Sequence, residues 1–413
     1  MRESNISVGI DIGSTKVITC VGKFEDGNID IIGLGESANQ GIRKGVIVDI
    51  EETVSAITSS ILEAERMSGC QIQGAVVGIS GPFIESEESK GIIAISSQNG
   101  QIGDDDVKRA IDAARAIPTK SNREVLHVIP ENFIVDSNEV IKDPIGMTGI
   151  RLEVVSNIVT ASSNAVKSLI KAVDQANISV EELVFSPLAT AKLLLSKRQI
   201  EMGALLVDIG AATTSYAAYE DGEIATCGVI PIGSTHITND IAIGLRTNLD
   251  LADLIKLKYG YALPDKVDEK DIIDLAKLDK HEEGEVKTKY VSEIIEARLS
   301  EIFSLIQENL RKADCTDALP AGVVLTGGGS KVQGIIEMTK EKMRLPAKVG
   351  APVIEITGLI DKLGDPVYST SIGLMLWGKD RSHEPNRMNF NLDIPGVNNV
   401  IDKVKSIFKN LMP

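Results

Sequence analysis

Cysteine is scarce in this 413-residue chain, and the four present, Cys20, Cys70, Cys227 and Cys315, stand far apart with no CxxC spacing. That excludes a disulfide framework and a cysteine zinc site, and it suits a reducing cytoplasm. The four histidines also stand singly, with no HExxH pair and no His/Cys cluster, so each reads as a surface or core residue rather than a metal ligand. No run of 18 apolar residues occurs, so nothing in the sequence is built to span a bilayer. The chain enters an apolar β-like run by residue 6, without the basic start, apolar stretch and cleavage site of a signal peptide. Neither GxxxxGKS/T nor GxGxxG is found, which removes the P-loop and the dinucleotide fingerprint. Positive charge is short as well: 43 Lys and Arg against 59 Asp and Glu leave a net charge of −16. Such a surface disfavours nonspecific binding to nucleic acid or anionic lipid, so no nucleic-acid partner is expected and any lipid contact needs a local basic segment.

What is present is an ordinary globular balance, 43% hydrophobic and 25% charged, in a chain long enough for more than one domain. One phrase occurs twice. Residues 7–16 read SVGIDIGSTK and residues 205–214 read LLVDIGAATT: an apolar β-run, then Asp, an apolar residue, Gly and small residues. Each is followed by a second β-rich run and a glycine turn, Asp26-Gly27 in one case and Asp221-Gly222 in the other. Both stretches therefore read as β-hairpins, and their recurrence about 200 residues apart predicts two related domains facing each other. Further β-runs at 74–79 and 322–325 alternate with helical periodicity at 50–67, 165–176, 250–258 and 294–310. The expectation is α/β layers with mixed sheets. Residues 82–160 break the rhythm. A strand-like run at 91–97, an acidic helix start at 104–106, a helix at 107–116, and β-runs at 124–135 and 151–160 read as a small inserted α+β subdomain.

The repeated phrase carries chemistry. A glycine at a strand turn lets backbone approach a phosphate, and the amides with the Ser14 and Thr15 hydroxyls can cradle its oxygens. Asp11 can hold a hydrated Mg²⁺ and Lys16 can add a point charge on the phosphates. Asp208, Gly210, Ala211, Ala212 and Thr213 repeat this on the second domain. One DxG alone signifies little, since it is also an ordinary strand-to-turn pair. Two in matching hairpins suggest a clamp on a phosphate chain. A third element, VVLTGGGS at 323–330, is a β-run ending in Gly327, Gly328 and Gly329 before a helix, where bare backbone can lie against a base or ribose.

At the other end, residues 378–396 are polar and read as a flexible linker. Beyond them Val400, Ile401, Val404, Ile407, Phe408, Leu411 and Met412 fall on one stripe of a helix. Lys403, Lys405 and Lys409 lie opposite, with Asp402 the single acid, a local charge of +2. That is the pattern of an interfacial membrane helix. A helix of this kind can also dock on its own body or on a partner. The 19-residue linker, spanning roughly 25 Å, favours the membrane, because it exceeds the Debye length of about 10 Å and lets the acidic body stand off the lipid.

The ordered set of two phosphate loops and a glycine-rich adenosine loop resembles the superfamily of actin, the heat-shock chaperones and the sugar kinases. Residues 252–256, ADLIK, resemble the AExxK helix of relatives, with Asp253 in place of Glu and Lys256 retained; residues 366–373 resemble the second connecting helix. Within the superfamily the chain resembles the FtsA family of bacterial cell-division proteins. Asp136, Glu139, Ile141, Lys142, Pro144, Gly146, Gly149 and Arg151 match a phrase of that family's inserted subdomain. Residues 186–189, 356–359 and 368–370 also read as family phrases, and the likeness covers about residues 5–378 and resumes at the tail.

The resemblance implies an actin-like, ribonuclease H-like two-domain ATPase fold. It divides the chain into subdomain 1A (1–82, 162–198 and a return at 356–377), inserted subdomain 1C (83–161), subdomain 2A (199–235 and 310–355) and subdomain 2B (236–309). A flexible linker (378–396) and a membrane-targeting amphipathic helix (397–413) follow. It implies ATP and Mg²⁺ as cofactors, adds Gly233 and Lys331 to the binding set, and gives Asp11 and Asp208 the positioning of metal and water. Filament-forming relatives often carry Glu before the proline corresponding to Pro187. Here that residue is Ser186, and slow hydrolysis is expected. Implied partners are the C-terminal peptide of FtsZ on subdomain 2B, with Arg298 as a candidate contact, further copies of the chain in a filament, other division proteins through subdomain 1C, and an anionic phospholipid membrane. The implied place is the cytoplasmic face of the cell membrane at the division site. A sugar kinase would need a carboxylate aimed at an acceptor hydroxyl, which no local motif supplies. The alternative is a pilus-assembly ATPase of the PilM type, which shares the fold and an insert. The basic amphipathic tail and the phrase at 146–151 favour FtsA.

Overall fold

A computed structural model describes residues 5–383 except 98, 117–121, 138, 317 and 359. Two sheets built on one plan organise it. The first has six strands in the spatial order Ser179–Phe185, Gly74–Ile79, Ile6–Ile12, Lys16–Glu25, Asn28–Ala38 and Thr357–Gly358. The second has five, in the order Ala347–Val349, Val323–Thr326, Ala204–Ile209, Thr214–Glu220 and Glu223–Ile230. In each, a three-stranded antiparallel meander is extended by two parallel strands on the side of its first strand. The repeat in the sequence is thus a repeat of five-stranded topology.

The strands explain themselves by burial. Ile10, Val17, Ile18 and Val21 in the first hairpin and Leu205, Leu206, Val207 and Ile209 in the second are fully or almost fully buried. These near-continuous apolar runs suit sheets covered on both faces. Helix Ile50–Ser68 covers the first sheet; Asp49 accepts a hydrogen bond from the Glu52 amide at its start, and Gly69, at φ 69°, ends it. Helix Thr288–Lys312 covers the second, burying Val291, Ile295, Leu299, Ile302, Phe303, Ile306 and Leu310 along one stripe. It begins six residues before the run at 294–310 that periodicity marks, because its first turns are polar and only Val291 shows the stripe.

The insert is a four-stranded antiparallel sheet, in the order Ile84–Ala94, Arg151–Ser162, Arg123–Val135, Glu139–Ile141, with helix Asp104–Arg115 against it. Its first strand lies seven residues earlier than the expected 91–97. Its leading half is the charged stretch ESEESK, whose alternation carries little apolar signal. A buried histidine joins the insert to the first sheet: His127 Nε2 accepts the Phe185 amide at 2.9 Å, and its ring meets Trp377 edge-on at 5.9 Å.

Helix Ser369–His383 runs past Trp377, so residues 378–383 are helical rather than the start of a linker. The rest of the expected linker and the whole stretch 397–413, with Val400, Ile401, Lys403, Val404, Lys405, Ile407, Phe408, Lys409 and Leu411, lie outside the described residues. Among the described residues no helix is long and apolar enough to cross a membrane.

Candidate functional site

The two hairpin loops are built alike. In the first, the Gly13 amide donates to the Lys16 carbonyl at 2.9 Å; in the second, the Gly210 amide donates to the Thr213 carbonyl, also at 2.9 Å. Each loop is then held from behind. Asn39 Nδ2 donates to the Gly13 carbonyl at 2.8 Å, and the Asn39 amide to the Thr15 carbonyl at 2.9 Å. The second loop is held by the first turn of helix Ser234–Leu245, with Ser234 N on the Gly210 carbonyl at 2.9 Å and Thr235 N on the Ala211 carbonyl at 2.8 Å. With these carbonyls and the Gly13 and Gly210 amides engaged, what each loop offers an anion is its later amides and its hydroxyls.

The loops and the triple glycine surround one cavity of about 510 Å³. That is a size typical of small-ligand sites. Asp11, Gly13, Ser14, Thr15 and Lys16 line it from the first domain, and Asp208, Gly210, Ala211, Ala212 and Thr213 from the second. Gly327, Gly328, Gly329, Lys331, Asp253 and Lys256 line it as well. Gly233 is not part of the wall but caps the helix whose next residues, Ser234 and Thr235, are. Arg298 is not part of it either. Its guanidinium binds Asp240 at 2.7 and 3.0 Å and pairs with Glu301.

Gly327 shows why the turn has no side chain. Its φ is 79°, and a Cβ there would overlap Asp208 Oδ1 and the Ile209 carbonyl. The turn is therefore pressed onto the second loop. Thr370 donates to Asp208 Oδ2 at 3.1 Å, which ties the start of helix Ser369–His383 to the same carboxylate.

Charge in the cavity is unbalanced. Burial and the facing Asp208 charge push the Asp11 carboxyl up to about 7. Burial pushes Asp208 up to about 6, against the Thr370 hydrogen bond. The nearby cations are engaged elsewhere. Lys16 Nζ sits 2.6 Å from Glu36, Lys256 Nζ 2.6 Å from Asp253, and Lys331 Nζ 2.7 Å from Asp365. Burial works against the Glu36 carboxylate, yet Lys16, Tyr368 and Lys362 together hold its pKa below the usual value. Two facing carboxylates without a cation between them fit a divalent ion. Among the described residues no group of three or more His, Cys, Asp or Glu could hold a metal, so the remaining ligands would be water and a bound anion, the mode Mg²⁺ prefers.

The cavity also includes Ser186 and Thr370, which stood in the family phrases without a binding role, and Gly45, Ser80, Ser234 and Thr235, which no motif marked. Ser80 follows the strand Gly74–Ile79, which in the first half holds the place that Val323–Thr326 holds in the second. Comparing the two halves strand by strand would have found it. Glu181 and Glu182, in strand Ser179–Phe185, do not line the cavity, whereas Ser186 just beyond them does.

Comparison with known proteins agrees on the family. The family model described as cell division protein FtsA matches residues 205–373, and the model of the SHS2 domain inserted in FTSA matches residues 81–160. The FtsA of Pseudomonas aeruginosa is 36% identical over 385 residues, 93% of this chain and 92% of that protein. The FtsA of Borreliella burgdorferi is 38% identical over 387 residues, again 93% and 92%. Among solved structures, the PilM-PilN type IV pilus biogenesis complex superposes with a TM-score of 0.66 at 16% identity, covering 92% of this chain and 99% of that one. MreB5 of Spiroplasma citri bound to ADP gives a TM-score of 0.56 at 13% identity, covering 92% and 98%. At such identities these likenesses show the fold alone, the two-domain actin-like ATPase fold.

Proposed function

The chain belongs to the FtsA family of cell division proteins, and from that premise we propose that it binds Mg²⁺ and ATP in the shared cavity and ties FtsZ filaments to the membrane. The observation that carries the nucleotide reading is the convergence of two equivalent hairpin loops and a triple-glycine turn on one cavity with two buried carboxylates. The amides of residues 14–16 and 211–213, with the Ser14, Thr15 and Thr213 hydroxyls, hold the phosphates from both sides. Gly327–Gly329 offer bare backbone to the adenosine, flanked by Asp253, Lys256 and Lys331. Lys16 adds charge to the phosphates by exchanging its partner Glu36. Asp11 and Asp208 would hold the cation, which would supply positive charge against these carboxylates and the phosphate oxygens. Both lose their protons more readily once that positive charge is present. Ser186 cannot take a proton from water, so hydrolysis is slow.

The membrane part of the proposal rests on the pattern at 397–413. A single short helix binds reversibly, with each Lys near anionic lipid adding about 1 kcal/mol. Several tails on one filament bind far more tightly through effective concentration. Polymerisation through the insert therefore secures the membrane contact, and the same insert receives other division proteins. The C-terminal peptide of FtsZ docks on 236–309. Arg298 is the contact suggested there by resemblance, and it would act in exchange for its pairing with Asp240 and Glu301.

The PilM-type reading is the weaker one. Family relatives above 30% identity over nine-tenths of the chain are FtsA proteins, while the likeness to PilM is one of fold at 16%. The test is calorimetric titration of the full chain with ATP in the presence and absence of Mg²⁺. Saturable one-to-one binding that weakens at least tenfold with chelator is expected. Absence of binding under both conditions would remove the nucleotide from the account.

A further inference from the structure

Beside the main cavity lies a smaller one of about 220 Å³. Its roof is the short hairpin of Ile42–Arg43 and Val46–Ile47. Its floor is the end of strand Gly74–Ile79 and the start of helix Ser163–Gln175. Apolar side chains make most of the wall, among them Ile12, Ile42, Val46, Ile79, Phe83 and Leu169, and among the described residues no charged one lines it. One polar atom stands out: Ser80 Oγ is buried and has no hydrogen-bond partner among the described residues. Such an atom carries a desolvation cost that a hydrogen-bonding occupant removes.

The roof is fixed at its tip. Lys44 and Gly45 both have positive φ, 51° and 75°, the arrangement of a tight two-residue hairpin turn. A Cβ on Gly45 would lie 2.9 Å from Pro82 Cδ and 2.9 Å from Thr213 Cγ2. The tip is thus wedged between the approach to the insert and the phosphate loop of the second domain. Ile12, Ile42, Gly45, Gly78 and Ser80 line both cavities, so the smaller one opens beside the phosphate end of the larger.

We propose that this pocket is a regulatory site for a small uncharged molecule with a ring-sized apolar body and one hydrogen-bonding group. An apolar cavity of ~150 Å³ accepts benzene, so the larger volume here admits a ring with a short polar extension. A charged ligand finds no countercharge on these walls, and an ion left unpaired there is costly. The polar end meets Ser80, with Asn164 and Ser168 also on the wall. An occupant supplies the roof with the packing contacts that an empty space denies it, and so holds the hairpin down across both domains. Ligand release from the main cavity is then slowed.

The experiment uses the full chain with isoleucine methyls labelled, because Ile12, Ile42, Ile47 and Ile79 all line the pocket. Titration with indole, a ring carrying one donor, is expected to give saturable shifts confined to these four methyls. Ser80→Ala should weaken binding threefold or more. Ala165→Leu and Ser168→Leu, each filling the pocket, should abolish it. With saturating indole, release of a fluorescent ADP should slow threefold or more. Shifts that do not saturate, that spread over the molecule, or that persist in a filled variant with an otherwise wild-type spectrum would overturn the site. Indole binding with unchanged ADP release would overturn its regulatory role. Failure of the fluorescent ADP to bind at all would count against the nucleotide reading and leave the methyl titration to judge the pocket.

Discussion

Replacing Asp11 by Asn should make the ligand-free protein more stable at pH 8 while removing its ability to bind Mg²⁺ and ATP. Asp11 holds its proton up to about 7 in the folded chain, against 3.8 when unperturbed, because it is buried and faces Asp208. Between those values the native state binds more protons than the unfolded state, so stability falls as pH rises through that window. A shift of that size corresponds to on the order of 4 kcal/mol. Asp11 lines a cavity that water enters, which screens the charge, and about half of that, ~2 kcal/mol, is the better expectation. For a chain of this length the gain is about 2–3 °C in Tm. It should shrink as pH falls below 7, to roughly two-fifths of its full size by pH 5, and vanish only below 3.8, where the carboxyl is protonated in both states. Thermal unfolding of both proteins in chelator from pH 5 to 8.5 measures it, and calorimetry with Mg²⁺ and ATP measures the loss of binding. An Asp11→Asn variant no more stable than wild type at pH 8, or one that still binds nucleotide in a metal-dependent way, would refute the reasoning.

Gly327→Val should abolish nucleotide binding and cost about 1–3 kcal/mol of stability, since φ is 79° and the new side chain collides with Asp208 and Ile209; denaturant unfolding and calorimetry check both halves. Deleting residues 397–413 should move the protein out of the pellet with anionic liposomes while leaving ATP affinity within twofold, which cosedimentation and titration compare. Burial lowers the His127 pKa to about 4, so its contribution to stability is complete above about 6.5 and lost as pH falls through 4. His127→Gln should therefore lose less stability than wild type between pH 7 and 4, by on the order of 3 kcal/mol; the difference between the two unfolding curves isolates this effect from the opposite one at Asp11 and Asp208.

Much of the site was legible because phosphate chemistry leaves a local mark. Asp11 to Lys16 and Asp208 to Thr213 are contiguous, and a glycine at a strand turn is visible wherever the fold puts it. The repeat then predicted that the two loops would meet. Apolar runs made the hairpin strands plain, and amphipathic periodicity did the same for helix Ile50–Ser68. Elements whose signal is tertiary were not. Strand Ile84–Ala94 begins in charged residues that alternate on an insert surface, and strand Ser179–Phe185, with two adjacent glutamates, gains its place by parallel pairing with Gly74–Ile79. Hairpin Ile42–Ile47 has only two residues on each side. Ser80 carries no motif at all, and the phrase around Thr370 did not point to the cavity; both reach it because strand and helix ends converge there. Nothing in the sequence signals that Arg298 pairs with Asp240, because that residue lies 58 positions away.

The claim on which the account turns is that one nucleotide bridges all three glycine segments. The most direct measurement is a crystal structure of the full chain grown with Mn²⁺ and a non-hydrolysable ATP analogue, with the metal located by its anomalous signal. The phosphates should lie between residues 13–16 and 210–213, the adenosine against Gly327–Gly329, and the metal peak between Asp11 and Asp208. A nucleotide bound outside this cavity, or a metal peak remote from both aspartates, would contradict it.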